Sequence, residues 1–195
     1  EGDLLAQMLA QRVNTPLTSS AGRLFDAVSA LLGVCCEVSY EAQAAIALEM
    51  AAGGGAPLGK AEPYPYALEQ VEGVQSWGQT STNLRHTIRI QLAPLLSALL
   101  DDLGAGTPAA RSAWRFHVTM AEMMADVSGR LCRETGLERV ALSGGCFQNR
   151  LLLQLLLPRL QEQGAQVLMH RQAPCNDGGL SLGQAVVAHY RMNGD

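Results

Sequence analysis

Residues 138–195 alternate between short apolar runs and longer helical patterns, and this alternation constrains the fold more than any other feature. The apolar runs at 139–142 and 166–170 predict strands, whereas apolar spacing predicts helices at about 149–163 and 179–192. Strands joined by a helix of this length pair in parallel, because the helix returns the chain to the same end of the sheet. The sequence therefore predicts an α/β part at its C-terminal end.

Residues 1–137 are predicted to be mainly helical, with a short hairpin region between the helices. A glycine- and proline-rich segment at 53–85 predicts hairpin or loop structure, and a short strand follows at 86–90. Ser39 is a candidate cap for the helix that follows it. Apolar periodicity predicts five helices, at 3–13, 22–32, 40–51, 94–103 and 108–136.

Composition narrows the classes of partner and compartment. The net charge is −4 with a pI of about 5.6 and no lysine or arginine run, which argues against nucleic acid as a partner. No apolar run reaches the roughly 18 residues of a membrane span, and no signal-peptide pattern opens the chain, so we expect no membrane contact and a cytoplasmic protein. The five cysteines form an odd set without metal-type spacing, which predicts reduced thiols.

The pair Gly144-Gly145 joins a predicted strand to a predicted helix. Glycines permit positive φ and close backbone approach, and the free N–H groups and dipole of a helix start favour phosphate oxygens. Asn149 could add a side-chain hydrogen bond to such a ligand. The same pair also suits an ordinary tight turn, so the turn alone does not decide between the two.

Two carboxylates stand at positions suited to a nucleotide site. Asp177 follows the second strand of the α/β part and is a candidate metal ligand, because carboxylate oxygen is a hard donor; helix capping is the alternative. Asp26 lies four residues after Gly22 on one helix face and could accept hydrogen bonds from ribose hydroxyls. Its alternative is an ion pair with Arg23.

The remaining reactive side chains predict no catalysis on their own. The four histidines are dispersed, without an H-x-x-x-H pair, and each is interpreted as structural. Cys146 stands at a helix start but has no histidine and aspartate arrangement beside it, which favours packing over nucleophilic catalysis. No general base is predicted within the chain.

Three motifs in this order resemble the hydrogenase-maturation carbamoyltransferase family, HypF. They are Leu-Thr-Ser-Ser-Ala-Gly-Arg-Leu-Phe-Asp-Ala-Val at 17–28, Ser-Gly-Gly-Cys-Phe-Gln-Asn at 143–149 and Asn-Asp-Gly-Gly-Leu-Ser-Leu-Gly-Gln at 176–184. The stretch 39–45 extends the likeness, which covers nearly the whole chain. Cys146 and Arg23 depart from the residues expected at their positions, which are valine in this family and glutamate in the related tRNA-modifying proteins.

The resemblance implies that residues 1–195 are the later part of the family's C-terminal domain, which is similar to the tRNA threonylcarbamoyl-transfer ATPases. Its fold would be α/β, of the actin-like, sugar-kinase-like and ribonuclease-H-like nucleotide-binding type, as a partial domain with a helical insertion. The implied reaction makes carbamoyl adenylate from carbamoyl phosphate and ATP. The carbamoyl group then passes to the C-terminal cysteine of a maturation partner, HypE, on the way to the cyanide ligands of the [NiFe]-hydrogenase.

The resemblance also assigns roles to individual residues. Gly22 and Asp26 would meet the ribose and adenine side of the nucleotide, Gly144 and Gly145 the phosphate side, and Asn149 the region between them. Asp177 matches the family's metal-binding aspartate. The divalent metal would be zinc, iron or magnesium, with its remaining ligands in upstream domains of the same polypeptide.

Two other functions remain open at this point. The chain could belong to an O-carbamoyl- or threonylcarbamoyl-transferase of the same fold, although the acidic pI disfavours a tRNA acceptor. It could also be a non-catalytic docking module in which the glycine-rich loops serve only structure.

Overall fold

The computed structural model describes residues 2–53, 59–71 and 87–193. Gly54 and Gly55, parts of the predicted 53–85 hairpin or loop region, and His86 of the predicted 86–90 strand lie outside the described residues. The described helices are α1 (Gly2–Gln11), α2 (Ala21–Leu31), α3 (Gln43–Ala51), α4 (Ala93–Gly104), α5 (Ala109–Thr135), α6 (Arg150–Glu162) and α7 (Leu180–Asn193). The described strands are β1 (Ala67–Val71), β2 (Thr87–Gln91), β3 (Arg139–Leu142) and β4 (Gln166–Met169).

Strands β3 and β4 pair in parallel, as predicted. Their register joins Arg139 to Gln166 at one end and Leu142 to Met169 at the other, so both strands finish at the same sheet edge. Helix α6 makes the crossover between them and buries one leucine face, formed by Leu151, Leu152, Leu156 and Leu160. The carboxyl ends of the two strands therefore open together toward the loops that follow them.

The long helix α5 is the centre of the core. Helices α3, α4 and α6 all contact it, and α2 packs on α3. Phe25 of α2 meets Phe116 of α5 edge to face, with ring centroids 5.0 Å apart. Because these helices share one continuous cluster of buried residues, the helical part and the α/β part are held by the same apolar core.

The antiparallel hairpin of β1 and β2 is attached to this core by the residues before it. Tyr64 is fully buried, its N–H donates to Thr119 Oγ1 at 2.7 Å, and its hydroxyl donates to Asp102 at 2.6 Å. The guanidinium of Arg115 lies 4.0 Å from the Tyr64 ring centroid. Burial, with the Asp102 carboxylate, raises the pKa of Tyr64 to about 12.

Helix α3 begins later than the sequence predicts, and Ser39 does not cap it. Ala42 has a φ of 62°, a left-handed conformation that cannot continue a right-handed helix backward, so α3 starts at Gln43. Gln43 Oε1 instead accepts hydrogen bonds from the N–H of Ser39 at 2.6 Å and from its hydroxyl at 3.2 Å. Glu41 and the left-handed Ala42 line the cavity described below.

Helices α1 and α7 bury no residue fully, although both carry apolar side chains. Leu182, Val186 and Tyr190 lie four residues apart along α7, and between 47% and 58% of each is exposed. All five cysteines are free thiols, as predicted. In the described part of the chain, no helix combines the length and the hydropathy needed to cross a membrane.

Candidate functional site

A cavity of about 470 Å³ lies between α2, α3 and the turn that precedes α6. It brings together four of the residues singled out from the sequence, namely Gly22, Asp26, Gly145 and Asn149. Local chemistry sets the first of these in place, because the Ser20 hydroxyl accepts the Arg23 N–H and starts α2 just before Gly22. We call this space the nucleotide cavity, after the residues predicted to hold a nucleotide.

Asp26 forms the ion pair with Arg23 that was its predicted alternative role, and it also lines the nucleotide cavity. Arg23 Nη2 lies 3.1 Å from Asp26 Oδ2, an ion pair between partly exposed side chains. A carboxylate has about four acceptor sites, so this pair leaves sites free for a sugar hydroxyl. Burial, followed by the negative charge of Asp26, raises the pKa of the nearby Cys146 thiol, which therefore stays protonated and is not a ready nucleophile.

The two glycines of the turn have different environments. Gly144 has φ 105° and ψ 160°, and its N–H donates to the Cys175 carbonyl at 2.7 Å. Gly145 begins a short 3-10 helix, Gly145–Gln148, in place of the simple turn that the sequence predicts before α6. Within the described residues no acceptor takes the Gly145 N–H, which leaves it free for an anionic ligand.

The N-terminus of α6 does not offer the free N–H groups that the sequence predicted. Glu49 Oε1 accepts the N–H groups of Arg150 at 2.9 Å and Leu151 at 3.1 Å, and Asn149 Oδ1 accepts the Leu152 N–H at 2.8 Å. The carboxylate of Glu49 thus occupies the position that the helix dipole would give to a phosphate. The helix start therefore has three of its N–H groups already occupied, and the glycine turn before it stays the predicted phosphate contact.

The buried His117 fixes the amide of Asn149. His117 Nδ1 lies 2.8 Å from the Ala113 carbonyl oxygen, which can only accept, so this nitrogen carries the proton. His117 Nε2 then accepts a hydrogen bond from Asn149 Nδ2 at 3.0 Å. Burial lowers the pKa of His117 to about 4, which keeps the ring neutral at pH 7.

Neither Glu49 nor His117 was recognised from the sequence as part of this site. His117 was interpreted as structural, and the fully buried ring agrees with that interpretation. The contact of Glu49 with Arg150 spans 101 residues, and no local pattern connects the two positions. Glu49 lies four residues beyond the stretch 39–45 that extends the likeness, so no motif pointed to it.

A second cavity, of about 680 Å³, opens at the carboxyl ends of β3 and β4, and we call it the strand-end cavity. Gly144 and Asp177 line it, so the two loops converge at one sheet edge as predicted. Asn176, and not Asp177, acts as the cap, because its Oδ1 accepts the Gly178 N–H at 3.2 Å. Ser143 Oγ lies 2.9 Å from His170 Nε2 at the same edge.

The described residues do not complete a metal site. Over residues 2–53, 59–71 and 87–193, no group of three or more histidine, cysteine, aspartate or glutamate side chains is arranged to hold a metal ion. Asp177 remains a predicted ligand, and the rest of a coordination sphere would have to come from elsewhere.

Residues 1–184 match the family model described as "Carbamoyltransferase, Kae1-like Domain, second subdomain". The chain belongs to the HypF carbamoyltransferase family. It is 40% identical over 193 residues to carbamoyltransferase HypF2 of Cupriavidus necator, an alignment covering 96% of this chain and 24% of that protein. It is 39% identical over 191 residues to carbamoyltransferase HypF of Rhodobacter capsulatus, covering 97% of this chain and 22% of that protein.

A solved HypF structure confirms the fold class. It is a full-length HypF in a phosphate- and nucleotide-bound form, matched with a TM-score of 0.78 and 35% identity over 95% of this chain and 22% of that one. The Kae1-like family agrees with the α/β, actin-like architecture that the resemblance implied. The chain spans less than a quarter of the length of these HypF relatives.

Proposed function

We propose that this chain contributes the second part of the Kae1-like domain to a carbamoyltransferase that transfers the carbamoyl group from carbamoyl adenylate. The acceptor is the C-terminal cysteine of a maturation partner, in the route to the cyanide ligands of the [NiFe]-hydrogenase. One observation carries the proposal: Gly144 and Gly145 join two cavities that hold all six residues assigned to nucleotide and metal. The carbamoyltransferase names of the relatives support it.

The nucleotide cavity suits the nucleoside end of the adenylate. Asp26 offers carboxylate oxygens to the ribose hydroxyls, and the adjacent wall of α3 supplies apolar surface from Ala45 and Ile46 for a base. The Gly145 N–H is a donor for a phosphate oxygen. Asn149, whose amide is held by His117 and by α6, keeps the wall between these groups rigid.

The transfer step needs a leaving phosphate and an attacking sulfur. The acceptor sulfur forms a bond to the carbamoyl carbon, the bond from that carbon to the phosphate oxygen breaks, and AMP leaves with the electron pair. A backbone N–H aimed at that phosphate stabilises the negative charge that grows on it. In this proposal the Gly145 N–H has that role.

Other parts of the polypeptide would complete the enzyme. The relatives are more than four times the length covered here, so the synthesis of carbamoyl adenylate from carbamoyl phosphate and ATP is assigned to upstream domains. Those domains would also supply the remaining ligands of a divalent metal at Asp177. The apolar side chains exposed on α1 and α7 are available for contact with them.

Calorimetric titration of the complete polypeptide with a non-hydrolysable carbamoyl-adenylate analogue tests the proposal. We expect saturable binding that Asp26→Ala and Gly145→Val each weaken, by roughly ten-fold or more if one charge-assisted hydrogen bond is lost. Asp101→Ala is the matched control, because this exposed carboxylate of α4 lines neither cavity. Absence of adenylate binding by the folded polypeptide would favour the docking-module alternative.

A further inference from the structure

The proposed function leaves open how the acceptor thiol loses its proton, and the strand-end cavity contains a side-chain pair suited to that task. Resting on that function, we propose that His170, held by Ser143, accepts the proton of the attacking thiol. The sequence predicted no general base, because Ser143 and His170 are 27 positions apart and neither belongs to a recognisable catalytic pattern.

The pairing of the strands creates this arrangement. Leu142 and Met169 are register partners at the ends of β3 and β4. Ser143 and His170 are the residues that directly follow these two strands. Parallel strands deliver such residues side by side, and here Ser143 Oγ and His170 Nε2 are 2.9 Å apart. Ligands of open α/β sheets bind at this carboxyl edge, and both side chains are exposed to the cavity there.

The glycine pair relates His170 to the reacting end of the adenylate. Gly145 lines the nucleotide cavity, whereas Gly144, directly after Ser143, lines the strand-end cavity. A nucleotide with its ribose at Asp26 and its phosphate at Gly145 directs the group beyond the phosphate toward Gly144 and the strand ends. In this pose the carbamoyl carbon would lie on the side of the turn where His170 lines the strand-end cavity.

His170 is the side chain in this cavity with the right proton chemistry. The other titratable or charged groups that line the strand-end cavity are Cys175, Asp177 and Arg191. A guanidinium stays protonated, a thiol is not a base until it ionises, and a carboxylate is a much weaker base than an imidazole. Imidazole both accepts and returns protons near neutral pH.

The proposed step balances as follows. The step uses the His170 tautomer in which Nε2–H donates to Ser143 Oγ, across the 2.9 Å contact, and the Nδ1 lone pair takes the proton from the acceptor S–H. The sulfur forms its bond to the carbamoyl carbon, the carbon–oxygen bond to the phosphate breaks, and AMP departs with that electron pair. The proton on His170 passes to solvent after the thiocarbamate is released.

Single-turnover transfer from carbamoyl adenylate formed on the complete polypeptide tests this role. With the C-terminal-cysteine protein as acceptor, we expect His170→Gln to slow transfer about 100-fold at pH 7, the typical contribution of a general base. With hydroxylamine, a neutral nucleophile that needs no base before attack, the same variant should transfer at close to the wild-type rate. Ser143→Ala should show the same selectivity with a smaller loss.

His189→Gln is the matched control, because this exposed histidine of α7 does not line the strand-end cavity. Its rates with both acceptors should equal those of the wild type. Adenylate formation, followed by pyrophosphate release, should be unchanged in all three variants.

The outcomes separate this inference from the function on which it rests. If the wild type forms adenylate and His170→Gln transfers the carbamoyl group to the thiol acceptor at the wild-type rate, the function stands and the role of His170 is refuted. If the variant slows thiol and hydroxylamine equally, His170 is structural and the inference is again overturned. If the wild type forms no adenylate, the proposed function fails and the inference fails with it.

Discussion

Gly144 and Gly145 are neighbours with different reasons for being glycine. Gly144 has φ 105° and ψ 160°, a region that essentially only glycine adopts. Gly145 has no positive φ, and a Cβ added there would meet no atom within 4 Å. The backbone conformation therefore requires glycine at position 144. At position 145 the backbone tolerates a side chain, and only the space needed by an incoming ligand would require glycine.

This difference predicts opposite phenotypes for two alanine substitutions. Gly144→Ala should destabilise the domain by about 1–3 kcal/mol through backbone strain. Gly145→Ala should leave the unfolding temperature unchanged and weaken binding of the adenylate analogue, because the methyl group enters the space beside the N–H donor. Differential scanning calorimetry and titration of both variants check this pair, and equal destabilisation by the two substitutions would contradict it.

The sequence predicted well which residues share a site, but it predicted poorly which hydrogen bonds each of them makes. Gly22, Asp26, Gly145 and Asn149 do line one cavity, because each lies in a motif whose order carries over from the family. The bond of Asn149 to His117 could not be predicted. It depends on how α5 and α6 pack, which side-chain spacing along one helix does not reveal.

At the scale of elements, the start of α6 is stabilised by a helix distant in the sequence. Glu49 of α3 accepts two N–H groups of α6 and so joins the two helices. Bonds of this kind are charge-assisted, and the negative carboxylate also interacts favourably with the positive end of the helix dipole.

We therefore expect Glu49→Ala to destabilise the domain by about 1–3 kcal/mol, since two helix N–H groups lose their partner. Glu41→Ala is the matched control, because Glu41 lines the same cavity but is exposed and lies outside the helix. Hydrogen exchange of the Arg150 and Leu151 amides should increase only in the Glu49 variant. Unchanged protection of those amides would contradict the assignment.

The neutral His117 between α5 and α6 predicts a pH dependence of stability. Its pKa is about 4 in the folded chain and near 6.5 when unfolded, so between these values only the unfolded state binds the proton. Stability should fall as pH decreases from about 6.5 to about 4 and level off below, by on the order of 3 kcal/mol for this group.

Denaturation midpoints measured across this pH window, for the wild type and for His117→Gln, test the prediction. Glutamine cannot titrate there, so the variant should be less stable at pH 7 but should lose less stability on acidification. The His189→Gln variant, which changes an exposed imidazole, should keep the wild-type dependence of stability on pH. Parallel pH profiles for the wild type and His117→Gln would show that another group is responsible.

Helix and strand positions were predicted well where periodicity decides them. Strand β3 and helix α5 follow their apolar patterns closely, and the parallel pairing of β3 with β4 follows from their connection. The start of α3 was not predicted, because the left-handed Ala42 has no sequence signal of the kind that glycine or asparagine gives. Similarly, the 3-10 turn at Gly145–Gln148 has no periodicity of its own.

At the scale of the whole molecule, α7 exposes an apolar face formed by Leu182, Val186 and Tyr190. Relatives more than four times the length covered here provide chain that could cover this face. The double substitution Val186→Glu and Tyr190→Glu should therefore lower the unfolding temperature of the complete polypeptide, because it would bury two unpaired charges. His189→Glu, on an exposed polar residue of the same helix, is the control and should have little effect.

Unchanged unfolding of the doubly substituted polypeptide would show that α7 faces solvent in the whole protein. In that case the isolated chain should also remain monomeric at high concentration, which sedimentation velocity can measure. If the isolated chain instead self-associates, and the two glutamate substitutions abolish this self-association, the apolar face of α7 is one that the rest of the polypeptide covers.

The hydrogen bond from the Gly144 N–H to the Cys175 carbonyl, 2.7 Å long, couples the loops that follow β3 and β4. Loops joined in this way do not move independently, so a ligand that orders the glycine turn also restricts the loop that carries Asp177. Where binding at the two cavities is coupled through this bond, the coupling is reciprocal, and each ligand changes the affinity for the other by the same factor.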